Sequence, residues 1–347
     1  MTSFASGAPA NAPRDESELE ELISRPTEAL TASLADAPGD ILVLGAGGNM
    51  GPSLARMAHR ADPSRRVIAV SRWSNRGAAE ALEVHGVDTV SADLLSPREL
   101  AALHDAPNVV FMAGQKFGTT GAPTATWAMN AAVPAFVAER FAGARTVVFS
   151  TGNVYPLTPP ARGGSRETDP AAPVGEYAFS CLARERIFGA AAVRHRTPTS
   201  IVRLNYAHDL RYGVLTDLAL RVARGEPIDL AMGYVNVIWQ GDANAFALAA
   251  LARAASPDPF IVNVAGPETL RVADLAHALG KRLGVEAVFT GTEGADALLS
   301  DASRMRETLD HQLLPVDTLL DWVASWVRGG GPLLGKPTSF ERRDGRF

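Results

Sequence analysis

The chain has 347 residues, of which 46% are hydrophobic, and carries a formal net charge of −5 at pH 7. This length fits two domains or one α/β core with a smaller lobe, and the mild acidity without a Lys/Arg run excludes nucleic acid as the expected partner. No apolar run approaches the roughly 18 residues that span a bilayer. With one cysteine, no secretory signal and no histidines at metal-ligand spacing, we expect a cytoplasmic protein with no membrane partner and no metal site.

Residues 1–38 are predicted to form an N-terminal extension, partly disordered and partly helical. Residues 1–14, rich in Ala, Pro and Ser, are expected to be disordered. Apolar residues then recur at helical spacing and predict one or two short amphipathic helices over 16–34, broken near Pro26. These residues are Leu19, Leu22, Ile23, Leu30 and Leu34. The segment is either a lid or packing arm on the fold or a solvated leader.

Between residues 39 and 204 short β-rich runs alternate with helical stretches. Strands are predicted at 41–44, 67–71, 87–90, 108–112, 145–150 and 200–204. Helices are predicted at 50–60, 76–85, 97–104, 126–141 and 177–194. Because strict alternation implies right-handed βαβ units, this pattern predicts a doubly wound α/β (Rossmann) fold with a parallel sheet that binds a dinucleotide.

Residues 205–347 are less regular and predict a smaller C-terminal lobe that covers the substrate. Helices are predicted at 214–224, 242–255, 272–283 and 316–327. Strands are predicted at 235–238, 260–263 and 287–289. We expect some of these strands and helices to complete the core.

The first strand leads directly into a glycine-rich loop at the start of a helix. The loop, a candidate cofactor-binding segment, contains Gly45, Gly47, Gly48, Asn49, Met50 and Gly51. Glycines at 45, 48 and 51 permit a tight strand-to-helix turn and close approach of the backbone to a pyrophosphate. The helix N-terminus then presents free amides to the phosphates. The position at the first strand–helix junction favours a dinucleotide site over a plain turn.

The ends of the second and third strands bear on which dinucleotide binds. Arg72 stands after the second strand, where an NAD-preferring fold carries an acidic residue for the ribose. It could face a 2′-phosphate, so the predicted cofactor is NAD(P) with a lean to NADP, or it is an ordinary exposed arginine. Asp93 follows the third strand and either reaches the adenine or caps the next helix.

Several downstream segments resemble the motifs of one known family. They comprise residues 109–114, Asn130, 149–155, 177–185, 235–242 and 260–268. Over about residues 40–327 the chain resembles the extended short-chain dehydrogenase/reductases, the NAD-dependent epimerase/dehydratase family. The resemblance implies that Ala113, Gly114 and Asn130 lie at the cofactor, and that Thr151 and Tyr177 form the catalytic pair.

The resemblance has one departure at the catalytic helix, where Cys181 occupies the position of the family lysine. Tyrosine has a pKa of about 10, and a neighbouring ammonium would favour its ionised form. A thiol supplies no such charge, so Tyr177 is expected to be a poorer general base. Cys181 is either a redox-sensitive or substrate-contacting thiol or, the favoured reading, a small buried residue. Lys116, in the loop after the fourth strand, either replaces the missing cation or is solvated.

Two further departures concern the substrate. Gly152 and Asn153 follow Thr151, where 4,6-dehydratases of the family carry an Asp-Glu pair, so dehydration is disfavoured. Val235 replaces an arginine that binds the diphosphate of nucleotide-sugars, which puts such substrates in doubt. Candidate substrate residues are Lys116, Asn153 and Asn205. Candidate phosphate-binding residues, unless simply solvated, are Arg211, Arg221 and Arg224.

Together these patterns predict an NAD(P)-dependent oxidoreductase or epimerase acting on a hydroxyl of a sugar or sugar derivative, with a small sugar-like molecule as its partner. Two alternatives remain open. One is a dinucleotide-binding protein with little redox turnover, in a regulatory or scaffold role, and the other an isomerase or lyase that retains its cofactor. The resemblance also implies a homodimer formed through the helices predicted at 126–141 and 177–194.

Overall fold

The computed structural model describes residues 12–116, 118, 121–336 and 338–346. The helices are α1 (Glu16–Ile23), α2 (Glu28–Ala35), α3 (Gly51–Ala61), α4 (Arg76–Val84), α5 (Pro97–Ala101), α6 (Pro123–Trp127), α7 (Val133–Arg140), α8 (Gly175–His195), α9 (Val214–Arg224), α10 (Gln240–Ala249), α11 (Val272–Leu283), α12 (Ser303–Thr308) and α13 (Val316–Arg328). The strands are β1 (Ile41–Leu44), β2 (Val67–Ser71), β3 (Asp88–Ser91), β4 (Asn108–Phe111), β5 (Arg145–Thr151), β6 (Thr199–Leu204), β7 (Ala207–His208), β8 (Ile228–Asp229), β9 (Tyr234–Val235), β10 (Ile238–Trp239), β11 (Phe260–Val264), β12 (Leu270–Arg271) and β13 (Phe289–Thr290). No helix among these is both long and apolar enough to cross a membrane.

The seven-stranded main sheet has the order β11-β6-β5-β4-β1-β2-β3, and all its strand pairs are parallel. β1 pairs with β2 on one side and with β4 on the other, so the direction of winding reverses there. Ligands of doubly wound sheets bind at such a point, outside the carboxyl ends of the strands. The predicted doubly wound α/β fold is therefore confirmed.

Both faces of the sheet are covered, as shown by the complete burial of its central strands. β1 and β4 are buried at every position, and their alternating side chains enter two separate clusters. Val43 and Val110 pack on the face that carries α3 and α10. Leu42 and Phe111 pack on the face that carries α7 and α8. This arrangement explains why the strands are continuously apolar in sequence.

The C-terminal lobe has its own core, in which α9, α11 and α13 pack together. The segment predicted as one strand at 235–238 is instead two short strands, β9 and β10, with different partners. Asn236 separates them, because its side chain donates to Glu268 O at 3.0 Å and accepts from Ser300 N at 2.8 Å. β11 leaves the lobe and joins the main sheet beside β6. The domain boundary at residues 204 and 205 stays a prediction.

Two predicted helices differ from the structure in their internal geometry. The helix predicted at 126–141 is interrupted by a π-helical turn over Ala128–Ala132, between α6 and α7. The helix predicted at 242–255 begins two residues earlier and changes to a 3-10 turn over Ala250–Arg253. Hydrophobic periodicity does not distinguish these variants from a regular α-helix.

The N-terminal segment packs against the fold as an arm. Asp15 caps the N-terminus of α1, and Thr27 caps the N-terminus of α2, each through its side chain. The two helices are separated near Pro26, as the sequence predicts. Leu19 is completely buried in the core of the lobe, whereas Leu30 is completely buried against the sheet. The disorder expected of residues 1–14 does not extend to residues 12–14, because Pro13 is buried and Arg14 pairs with Glu18. Residues 1–11 lie outside the described part of the chain.

Candidate dinucleotide and substrate site

The glycine-rich loop joins β1 to α3 at the carboxyl edge of the sheet. Gly45 has φ +89°, and a Cβ there would lie 2.5 Å from Ala113 N; at Gly51 it would collide with the backbone of Ala46. At Gly48, by contrast, the nearest atom to an added Cβ is 3.5 Å away. Gly45 and Gly51 are therefore required by the fold, while Gly48 borders open space. This cradle of backbone and helix N-terminus fits a pyrophosphate.

The end of β2 lies beside this loop. An added Cβ at Gly47 would lie 2.5 Å from Ser71 Oγ, so loop and strand are in close contact. Arg72 is exposed at this end. Trp73 has φ +45° and donates from its indole nitrogen to Val90 O at 3.0 Å. Sequence reasoning missed Trp73, although an aromatic residue directly after a second strand was a usable signal.

Asp93 has a local structural role at the end of β3. Its carboxylate accepts from Leu95 N at 3.0 Å, and its own amide donates to Glu99 at 2.8 Å. These contacts make Asp93 a turn residue. The expectation that it caps the next helix is wrong, because Ser96 caps α5 by accepting from Glu99 N. Neither Asp93 nor Arg72 lines the central cavity described below, because both lie at the outer strands of the sheet.

Asn130 connects the end of β4 to α8 from its position in the π-helical turn. Its Oδ1 accepts from Gln115 N and from Arg184 Nη2, both at 2.8 Å. Its Nδ2 donates to Gln115 O at 2.9 Å and to Ser180 Oγ at 3.0 Å. A Cβ on Gly114 would lie 2.6 Å from Arg184 Nη2. Gly114 and Asn130 thus lie together, as expected, and the π-turn aims the amide at both elements.

Thr151 and Tyr177 are brought together by the end of β5 and the first turn of α8. Their side chains are hydrogen-bonded to each other. Thr151 Oγ1 also accepts from the backbone amide of Asn153 at 3.2 Å and from its side-chain amide at 3.0 Å. Burial raises the pKa of Tyr177 far above its usual value, although the nearby Arg184 opposes this. The phenol therefore keeps its proton.

Cys181 lies one helical turn beyond Tyr177 and is 1% exposed. It packs with Val154 and Tyr155 and is hydrogen-bonded to Tyr177. Burial raises the pKa of the thiol, so it is neutral near pH 7. This environment fits a small buried residue better than a redox-sensitive thiol.

Two cationic side chains, Arg184 and Lys116, lie near Tyr177 and Cys181. Arg184, on the same face of α8 as Tyr177, is buried and donates to Phe149 O at 2.8 Å. It forms no ion pair within the described part of the chain, and its charge lowers the pKa of both Tyr177 and Cys181. Lys116 is half-buried, and burial lowers its pKa to about 8. Its charge also lowers the pKa of Cys181. Sequence reasoning missed Arg184, although its seven-residue spacing from Tyr177 indicated the shared face.

The site opens into a cavity of about 200 Å³, the central cavity, between the sheet and the lobe. It brings together residues predicted for cofactor, catalysis and substrate: Asn49, Met50, Thr151, Tyr177, Lys116, Asn153 and Asn205. Sequence reasoning missed other residues of the lining, which are Gln240 of α10 and, from the lobe, Tyr206, Tyr212, Gly213, Val214 and Thr338. A smaller cavity of about 50 Å³, the side cavity, shares Lys116, Asn153 and Tyr206 with it.

A buried polar network joins α8 to β5 and β6. Arg203 of β6 forms an ion pair with Glu185 of α8 at 2.7 Å, and both side chains are buried. Ser150 donates to Glu185 at 2.6 Å, which connects β5 to the same pair. Tyr155 accepts from Arg203 at 2.7 Å and donates to Asn263 at 2.8 Å. The network fixes α8 relative to β5 and thereby the Tyr177–Thr151 distance.

The doubly wound sheet and its glycine-rich loop define a Rossmann-type α/β protein of the dinucleotide-binding class. Comparison of sequences narrows this class. A profile described as the NAD dependent epimerase/dehydratase family matches residues 41–265, and the chain belongs to this family. A search of curated proteins found no match.

Solved structures resemble the chain over most of its length. UDP-glucuronic acid 4-epimerase from Bacillus cereus, in complex with UDP-glucuronic acid and NAD, has a TM-score of 0.70 at 18% identity, covering 83% of this chain and 99% of its own. The UDP-Glc/GlcNAc 4-epimerase from Campylobacter jejuni scores 0.70 at 20% identity over 84% and 99%. Pal from Bacillus thuringiensis scores 0.70 at 16% identity over 83% and 99%. At these identities the likeness shows the fold.

Proposed function

We propose that the chain is an NAD(P)-dependent oxidoreductase or epimerase acting on a hydroxyl of a sugar or sugar derivative. One observation carries the proposal. The hydrogen-bonded side chains of Thr151 and Tyr177 line a cavity that Asn49 and Met50 of the glycine-rich loop also line. A substrate hydroxyl in this cavity would therefore lie between a proton-exchanging pair and the cofactor loop. Family membership and the sugar-epimerase neighbours support the same reaction class.

The residues at the carboxyl edge of the sheet fit a nicotinamide dinucleotide. The open side of Gly48 would hold the pyrophosphate, and Gly114 with Asn130 would border the nicotinamide ribose. Arg72, exposed at the end of β2, supports the lean to NADP, although the neighbour from Bacillus cereus was solved with NAD. When bound, the coenzyme supplies hydride exchange with the substrate carbon. The chain supplies binding, orientation and the proton.

Tyr177 supplies the proton in this proposal. Because burial holds its pKa high, the phenol is ready to donate to the oxygen of a carbonyl substrate, while Thr151 hydrogen-bonds that oxygen. The reverse direction requires Tyr177 to accept a proton from a hydroxyl. Positive charge near the phenol favours that step. Arg184 lowers the pKa of Tyr177, Lys116 lowers that of the neighbouring Cys181, and the proposal gives these two cations the part of the family lysine.

Loss of water from the sugar is not part of the proposal. Asn153 is engaged with Thr151 through its side-chain amide, and Gly152 has no side chain that could exchange a proton. The site therefore offers no acid–base pair next to Thr151 for dehydration. Oxidation followed by reduction needs only the Tyr177–Thr151 pair.

A specific observation also favours the second candidate function, a dinucleotide-binding protein with little redox turnover. The raised pKa values of Tyr177 and Cys181 oppose proton removal from substrate. Mass spectrometry of the coenzyme retained on the purified protein, followed by incubation with NAD or NADP and a panel of sugars, separates the candidates. Turnover or an epimer supports the first function, and bound coenzyme without either supports the second. A product other than an epimer, formed without net coenzyme consumption, indicates a lyase or another isomerase that retains its coenzyme. Absence of coenzyme binding contradicts all three.

We also propose a homodimer formed through α6, α7 and α8. Large apolar side chains are exposed on these helices, at Trp127 (39%), Phe136 (40%), Phe179 (52%) and Val193 (64%). Exposed apolar surface of this kind favours association. Light scattering of the wild-type protein should give twice the chain mass, and the Phe179→Glu variant should have the mass of one chain. The dimer contact would be contradicted if the variant had the same mass as the wild type. The cytoplasm stays the predicted location.

A further inference from the structure

Residues 338–345 form a segment that we call the C-terminal strap. Thr338 begins it and donates to Asp217 of α9 from its amide at 2.8 Å and from its hydroxyl at 2.6 Å. Glu341 pairs with Arg221 at 2.9 Å. Arg343 donates to Ala231 O at 2.9 Å and forms an ion pair with Asp296. The strap is thus held along the lobe by several charged contacts.

The far end of the strap reaches the catalytic helix. The backbones are so close there that a Cβ on Gly175 would lie 2.3 Å from Gly345 O, and a Cβ on Gly345 would lie 2.2 Å from Val174 O. Gly175 is the first residue of α8, two positions before Tyr177. Phe340 is buried in the core of the lobe. The strap therefore runs from α9 to the start of α8 and closes the lobe side of the site.

The strap leaves little free volume. Thr338 lines the central cavity, and Ser339, Phe340 and Arg342 line the side cavity. The cavities measure about 200 Å³ and 50 Å³. Pockets for ordinary small-molecule ligands measure about 300–1,000 Å³. This volume suits a single sugar ring, whereas a sugar carrying a nucleoside diphosphate would have to extend beyond the two cavities or displace the strap.

The charge of the lining points to an anion. Among the described residues that line the two cavities there is no Asp or Glu, while Lys116, Arg342 and Arg343 contribute cations. Arg343 is committed to Asp296, but Arg342 forms no ion pair within the described chain. A cationic lining without carboxylates favours a negatively charged substrate group.

The arginines around the lobe are not arranged to hold a diphosphate. Arg211 is paired with Asp209 at 2.6 Å and with Glu20 at 2.7 Å. Arg221 is paired with Glu341 of the strap. The sequence-based candidates for phosphate binding are therefore engaged by carboxylates, as is Arg224, which lies 4.0 Å from Glu226. The anionic group is more compatible with a single carboxylate near Arg342.

We propose that the strap-closed site accepts a compact polyhydroxylated carboxylate, a sugar acid that is not linked to a nucleotide. Arg342 and Lys116 face the carboxylate, and the reacting hydroxyl lies at Tyr177 and Thr151. This inference rests on the proposed function, because it concerns the substrate of the same Tyr177–Thr151 pair.

Calorimetric titration of the coenzyme-saturated, full-length protein tests both parts of the inference. The ligands are D-glucuronate, D-galacturonate and D-gluconate, their neutral counterparts D-glucose, D-galactose and D-glucitol, and UDP-glucose and UDP-glucuronate. We expect at least one acid to bind at least about tenfold more tightly than its neutral counterpart and than either nucleotide-sugar. Tighter binding of a nucleotide-sugar, equal binding of acids and neutral sugars, or binding of none of the acids would overturn the inference.

A matched pair of variants locates the carboxylate. Arg342→Gln should weaken binding of the acid by about tenfold without changing coenzyme affinity. Arg346→Gln, which is exposed as Arg342 is but lies outside both cavities, should leave both unchanged. Deletion from residue 338 onward should allow UDP-glucuronate to bind, but it also removes the buried Phe340, so the substitution in the intact chain decides the matter. Retained acid affinity in Arg342→Gln contradicts the inference. If coenzyme binding is absent from the wild-type protein, the proposed function itself fails.

Discussion

The two sides of the central cavity are constructed differently. The side proposed to bind the coenzyme, which we call the cofactor side, consists of regular parallel strands that end together, and its main feature is backbone: the glycine-rich loop and the first turn of α3. The side proposed to bind the substrate, which we call the substrate side, consists of two-residue strands, the strap and single side chains such as Tyr212 and Gln240. The cofactor side is therefore specified by local sequence pattern, while the substrate side is specified by contacts between distant segments.

The difference extends to electrostatics. On the cofactor side, charge comes from backbone amides and the dipole of α3, which do not depend on side-chain identity. On the catalytic and substrate side, charge comes from side chains, and here Lys116 and Arg184 surround a thiol where the family has a lysine. The cofactor side therefore tolerates sequence change outside its glycines. On the catalytic and substrate side, a cationic side chain at one position can take the role of a cationic side chain lost at another.

The largest effect is expected from Gly45→Ala, which breaks the cofactor side. The added Cβ meets Ala113 N at 2.5 Å with φ at +89°, so we expect roughly 1–3 kcal/mol lower stability from overpacking, beyond the backbone strain, and loss of coenzyme binding. Gly143→Ala, at φ +84° with no atom near its Cβ, controls for the backbone strain. Calorimetric binding and thermal unfolding provide the measurements. Normal coenzyme affinity in Gly45→Ala would place the coenzyme elsewhere.

The next largest effect is expected from Tyr177→Phe, which tests the catalytic pair alone. Removing the phenol should lower turnover about 10²–10⁴-fold while leaving coenzyme affinity unchanged, because the ring remains in place. Tyr234→Phe, on β9 outside the cavities, serves as the matched control. Steady-state kinetics with coenzyme titration separate the two quantities. Unchanged turnover in Tyr177→Phe would exclude this residue as the proton donor.

Sequence pattern predicted the strand–loop–helix unit around the glycine-rich loop for a physical reason. Strand, glycine turn and helix lie within a few residues of one another, so the loop at 45–51 is visible in a short window. Thr151 and Tyr177 were also predicted, through a family motif, and the structure places their side chains in contact. The strap shows the opposite case, because residues 338–345 carry no periodic pattern and meet α8 across about 170 positions of chain. Only the fold brings such segments together.

The Lys116→Met substitution tests whether the charge of Lys116 contributes to turnover. We expect kcat/KM to fall about tenfold, the effect of one unit in the pKa of Tyr177. In the wild type, turnover should decline above pH 8, because the Lys116 ammonium, with its pKa lowered to about 8, loses its proton there. This decline should be absent from Lys116→Met, while Lys281→Met, on the exposed surface of α11, should behave as wild type. Identical pH profiles for wild type and Lys116→Met would exclude the role.

The same shift predicts the pH dependence of stability. The pKa of Lys116 is lower in the folded chain, about 8, than its ordinary value of 10.5. Between these values the unfolded chain binds more protons, so the free energy of unfolding should rise with pH in this window. Relative to Lys116→Met, the wild type should therefore gain stability from pH 8 to pH 10.5. Urea unfolding at several pH values measures the difference, and an opposite slope would contradict the buried ammonium.

The smallest effect is expected from Cys181→Ala, because a neutral buried thiol contributes packing and not charge. Turnover should change little, and stability should fall by about 1 kcal/mol for the lost volume. Cys181→Lys is the informative contrast, since it restores the family residue beside Lys116 and Arg184. A third cation in this buried space should destabilise the fold without raising turnover. A large gain in turnover would instead show that Lys116 and Arg184 do not replace the family lysine. The chain would then have lost catalytic activity while it still binds the coenzyme.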